Sequence, residues 1–63
     1  MGKLTKITHD LESNKVYCRV VYTVQSNKMV LDLTIPRADL TDLLPTTISA
    51  ALTTIVGFTV TPV

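Results

Sequence analysis

Two short segments of this chain echo each other, Glu12-Ser13-Asn14-Lys15 and Gln25-Ser26-Asn27-Lys28. Each lies between stretches rich in β-branched and aromatic residues. Ser-Asn is turn chemistry, because asparagine tolerates left-handed backbone angles and serine bonds to its own backbone. Two matching corners so close together restrict the first half of the chain to a three-stranded antiparallel meander.

Alternation of side chains supports that reading. In the middle strand Val16, Cys18, Val20, Tyr22 and Val24 share one face, and Tyr17, Arg19, Val21, Thr23 and Gln25 share the other. In the third strand Met29, Leu31, Leu33 and Ile35 oppose Val30, Asp32 and Thr34. A two-residue loop at Ser26-Asn27 sets Val24 against Met29, Tyr22 against Leu31, Val20 against Leu33 and Cys18 against Ile35, apolar on apolar throughout. The same loop length at Ser13-Asn14 sets Leu11 against Val16, His9 against Cys18, Ile7 against Val20 and Thr5 against Tyr22. A three-residue loop exchanges the faces and puts leucines opposite charges, whereas a four-residue loop keeps the pairs.

Beyond Pro36, which cannot donate to a ladder, the pattern changes. Asp39 is placed to cap a helix carrying Leu40, Leu43 and Leu44. Pro45 either kinks that helix or opens a second one at its first position. The amphipathic stretch runs to Val56, and Gly57 stands where a helix ends on a glycine. Phe58-Thr59-Val60-Thr61 alternates again. The expected architecture is a single α+β domain over residues 1–63, in the order βββαβ. Its strands fall at about 3–12, 15–25 and 28–36, its helix at about 39–56 and a short final strand at about 58–62. The helix covers one face of the meander.

At 63 residues the chain is near the lower limit for independent folding. Cys18 is the only cysteine, which excludes an internal disulfide, and one histidine with one cysteine falls short of a zinc site. Oligomerisation or docking into a larger body is the remaining common source of stability.

From Leu43 to Val63 there is no charged side chain, only apolar residues mixed with six threonines, one serine, two prolines and a glycine. That length matches a membrane span. Yet Leu44, Ile48, Ala51, Leu52, Ile55 and Val56 form one helical stripe, while Thr46, Thr47, Ser49, Ala50, Thr53 and Thr54 fall on the other side. A lipid-facing helix is apolar all round, so the two-faced pattern argues for a protein partner. The N-terminal Met1-Gly2-Lys3-Leu4 is followed by no apolar run, and Lys6 stands where a myristoylation motif needs serine or threonine. Synthesis in the cytoplasm is expected.

No glycine-rich phosphate loop or carboxylate pair marks an active site. The expected His9–Cys18 neighbours lie on the core face with no third group to orient the imidazole, so a packed pair is the preferred reading. On the other face Arg19 is expected opposite Thr8 and Thr34, with Asp10 and Asp32 diagonal to it. With a net charge of +1 and only Tyr17, Tyr22 and Phe58 as aromatics, nucleic-acid binding is secondary.

The sequence is therefore read as a non-catalytic structural or adaptor subunit, with no cofactor, metal or small-molecule substrate. Its expected partners are further copies of itself or other subunits of an assembly, such as a viral or phage head or tail. The residues expected to meet partners are Tyr17, Arg19, Thr46, Thr47, Ala50, Thr53, Thr54, Phe58 and Val60. A small dimeric nucleic-acid-binding regulator is the alternative, and a membrane-associated protein using the uncharged tail the third.

Overall fold

The computed structural model describes all 63 residues. Three long strands, β1 (Gly2–Asp10), β2 (Lys15–Val24) and β3 (Asn27–Pro36), form an antiparallel meander. One 3-10 turn (Arg37–Asp39) and an extended stretch lead to the helix α1 (Pro45–Val56) and the two-residue strand β4 (Val60–Thr61). β4 lies parallel to β1, giving the sheet order β3-β2-β1-β4 and an α+β fold. The connection from β3 to β4 crosses from one sheet edge to the other, which draws α1 over one face.

Both corners reverse the chain with even parity, but each is displaced from its expected place. The second turn is Gln25-Ser26, both with positive φ (50° and 67°), and Asn27 already pairs with Val24. The β2–β3 register is thus Tyr22 with Met29, Val20 with Leu31, Cys18 with Leu33 and Val16 with Ile35. This differs from the expected pairing by two residues, a slip that keeps every side chain on its face. It also sets Arg19 opposite Asp32, and their side chains bond at 2.9 Å.

At the first corner the loop has four residues, Leu11 to Asn14. Asp10 organises it by accepting from the Glu12 N–H at 3.0 Å and the Ser13 hydroxyl at 2.9 Å. The four-residue loop does not keep the expected pairs, since it moves them by two: His9 faces Val16 and Ile7 faces Cys18. Leu11 stays in the loop, exposed.

Strict alternation fails in β1 at Thr5. A bulge there lets Leu4 pair with Val20 and Gly2 with Tyr22, so Leu4 joins Ile7 and His9 on the helix side. Thr5, expected inside opposite Tyr22, turns out to solvent and donates to the Arg19 carbonyl at 3.1 Å.

Asp39 caps no helix; Leu40 after it is extended, and its side chain is in the core. Pro45 opens α1 at its first turn, where a missing N–H costs nothing. The preceding turn is held by Asp42, whose carboxylate accepts from the Leu44 N–H at 3.0 Å. The Thr47 hydroxyl, then that N–H, hold the Asp42 carboxyl below its usual range. At the other end Gly57 takes φ 83° and donates its N–H to the Thr53 carbonyl, as a left-handed cap requires.

The core contains Leu4, Val16, Cys18, Val20, Ile35, Leu40, Ile48, Leu52 and Val60. The helix sits rotated from the expected stripe. Ser49 is buried and Thr53 half-buried, while Leu44 and Ile55 are 59% and 56% exposed. Ser49 satisfies its hydroxyl on the Thr46 carbonyl at 3.0 Å, which makes its burial cheap.

Candidate functional site

Length decides which part of the sheet stays bare. Twelve helical residues span about 18 Å, whereas a ten-residue strand reaches about 33 Å. The molecule is accordingly 38 Å long and about half as wide. The β2–β3 hairpin projects past the helix, leaving Val24 and Met29 on the helix side 49% and 42% exposed, while Val30 on the opposite face is 55% exposed. The outer edge of β3 pairs with no strand along its ten residues. It is a free row of backbone donors and acceptors bordered by apolar side chains.

The sheet face away from the helix is open along its whole length. Register sorts its residues into cross-strand rows. From the hairpin tip these are Thr23 and Lys28; then Lys3, Val21 and Val30; then Lys6, Arg19 and Asp32; then Thr8, Tyr17 and Thr34; then Asp10, Lys15 and Pro36. Arg19 thus faces Lys6 and Asp32 rather than the expected threonines, which instead flank Tyr17. Five of the six basic side chains of the chain stand on this face. Its acids are Asp32, bound to Arg19, and Asp10, turned into the loop. Hydrogen bonds from the Ser13 hydroxyl and N–H hold the Asp10 carboxyl below the usual aspartate range. The Asp32 bond raises the Arg19 guanidinium further above its already high value.

Around Tyr17 the short threonines leave a depression of about 380 Å³, lined by Lys6, Thr8, Tyr17, Arg19, Asp32 and Thr34. Tyr17 is 42% exposed beside it. A stacking surface, cations, hydroxyls and a carboxylate therefore meet in one place, without a nucleophile at their centre.

His9 and Cys18 are not opposite each other. They lie diagonal across β1 and β2 on the helix side, where Cys18 is 3% exposed and burial pushes its thiol pKa up. The enclosed Nε2 of His9 has no hydrogen-bond partner. This is packing around a neutral thiol, not an activated nucleophile.

The remaining expected contact residues divide. Thr46, Ala50 and Thr54 are exposed on the outer side of α1, with Thr47 half-buried beside them. Thr53 is turned inward, donating to the Ser49 carbonyl and accepting from the Val60 N–H. Val60 is 4% exposed in the core, and Phe58 packs against Tyr22 with ring centres 5.4 Å apart. Neither forms a free surface: β4 pairs with Gly2 and Lys3 at the start of β1 within its own chain, and the β1 edge from Leu4 to Asp10 has no strand partner. What alternation alone did not reveal is the cationic face, since the Thr5 bulge is what brings Lys3 and Lys6 to one side.

The fold and surfaces define a small α+β module with a free edge along all of β3, a second along β1 beyond Lys3, and one open sheet face. No protein-family model, curated protein or solved structure matches the chain. No helix is long and apolar enough to cross a membrane.

Proposed function

We propose that this chain is a non-catalytic subunit that works by protein–protein contact, pairing first with a second copy of itself through the β3 edge. The observation that carries the reading is the ten-residue open edge of β3, beside exposed Val24, Met29 and Val30. Soluble proteins blunt such edges with prolines, bulges or inward-pointing charges. Here Pro36 stands only at the far end, the pairing of β2 with β3 is free of bulges, and the charges on the strand are Lys28 and Asp32, of opposite sign.

An antiparallel, two-fold pairing centred on Val30 favours the second copy as occupant. It sets Val30 against Val30, Met29 against Leu31, and Lys28 of each copy against Asp32 of the other. Opposite charges then flank the Val30 pair on one face, and Met29 and Leu31 meet on the other, as cross-strand stabilisation requires. The uncharged outer side of α1, with Thr46, Ala50, Thr54 and Ile55, offers a second surface for further subunits. A virion is one assembly that uses such parts.

Light scattering over a concentration range tests the reading. Association that Met29→Lys abolishes, with the fold retained, supports it; a monomer at every concentration overturns it.

A further inference from the structure

We infer that the open sheet face is a binding site for single-stranded nucleic acid, with a base stacked on Tyr17 and the phosphates held by Lys3, Lys6 and Lys15. The near-neutral total charge conceals a segregated one. Lys3, Lys6, Lys15, Arg19 and Lys28 stand against Asp10 and Asp32 on this face, a balance of +3. The rest of the chain, with Arg37 against Glu12, Asp39 and Asp42, carries −2.

Geometry makes this face a track. Alternate residues in a strand are about 7 Å apart, and cations occur in four of the five rows. The fourth row from the tip interrupts them with Tyr17 between Thr8 and Thr34. A positively charged path with an aromatic platform is how proteins hold single strands without a sequence code. The Tyr17 platform needs a base with a free face, which a single strand offers and a stacked duplex does not.

Two details favour an anion over the solvated face of an ordinary sheet. Lys6 lies directly opposite Arg19, whose charge Asp32 already balances, so this row keeps one surplus positive charge. Asp32 engages Arg19 alone, and Lys3, Lys6 and Lys15 have no ion-pair partner. The Thr8 and Thr34 hydroxyls and the Asp32 carboxylate line the depression beside the Tyr17 ring, where the edge of a stacked base would lie. The site does not depend on the β3 edge, so dimer and monomer both present it.

Fluorescence anisotropy with a short labelled oligothymidylate tests this, with salt varied from roughly 50 to 200 mM. Three lysine–phosphate contacts predict a slope of log affinity against log salt of about −2. Replacing both Lys3→Gln and Lys6→Gln should flatten it to about −0.7. Tyr17→Ala should weaken binding by roughly five- to a hundredfold, the range for one lost stack. These side chains point to solvent, and an unchanged far-UV circular dichroism spectrum confirms folding of each variant. Absence of binding at the lowest salt overturns the inference, as does affinity that ignores the double lysine change. Equal affinity for phosphatidylserine vesicles, with no effect of Tyr17→Ala on the oligonucleotide, would assign the face to charged surfaces in general and also overturn it.

Discussion

The Thr53 hydroxyl accepts the backbone N–H of Val60 at 3.0 Å, tying the last turn of α1 to the strand that follows. The same oxygen donates to the Ser49 carbonyl at 2.9 Å. A threonine that looks like part of an idle polar stripe is therefore the clasp between helix and sheet. Thr53→Val keeps the shape and removes both bonds, leaving the Val60 N–H without a partner. The expected loss is about 2 kcal/mol, read from the midpoint of a urea titration; Thr54→Val, on the exposed side, should change it by under about 0.5 kcal/mol.

Gln25 and Ser26 both occupy the left-handed region that asparagine and glycine prefer. Side chains with a Cβ cost roughly 1–2 kcal/mol each there. Replacing the pair with Asn-Gly should raise the thermal midpoint. An unchanged or lower midpoint would show that the corner does not hold this geometry in solution.

Gly2 is required for a steric reason. A Cβ there would lie 2.7 Å from the Phe58 ring and 2.8 Å from a Val20 methyl. Gly2→Ala should cost about 1–3 kcal/mol through overpacking. At Gly57 nothing lies within 4 Å, so Gly57→Ala pays only for its positive φ, about 1 kcal/mol. Paired urea titrations should rank the two in that order.

Burial raises the Cys18 thiol pKa in the folded chain. The neutral form is then favoured by folding, so this contribution is complete below the unfolded thiol value. It is lost as the pH rises through the raised folded value. Stability should fall in mildly alkaline buffer, and Cys18→Ala should flatten that slope. A thiol reagent should label Cys18 only at the rate of unfolding; rapid labelling of the native protein would contradict the packing described.

The residues differ in how openly they declared this fold. Face parity in β2 and β3 was legible because apolar side chains recur at every second position from Val16 to Val24 and from Met29 to Ile35, with Val21 and Val30 the apolar exceptions on the other face. The C-terminal end of α1 was legible too, since glycine at a left-handed cap is a backbone requirement, whereas its start was not, because Pro45 suits a kink in a helix from Asp39 as well as a new first turn. Register was not, because a two-residue slip leaves every face intact and only the Arg19–Asp32 bond distinguishes the outcomes. The Thr5 bulge left one mark, that unbroken alternation puts Leu4 outside with Lys6 and Thr8 and Lys3 inside with Ile7, but Thr5 itself is compatible with either face. On that bulge depends the gathering of Lys3 and Lys6, and so most of the candidate site. The rotation of α1 was hidden for a similar reason: Ser49 and Thr53 look polar, but each satisfies its hydroxyl within the helix and can turn inward.

The β3 edge remains the feature on which the proposed role turns. Sedimentation equilibrium of the intact chain and of Met29→Lys across a wide concentration range measures it directly. A mass that climbs from 6.9 kDa toward twice that value, and stays at 6.9 kDa for the variant, is the predicted result. A wild-type chain that remains at 6.9 kDa throughout, or a variant that associates equally well, would contradict it.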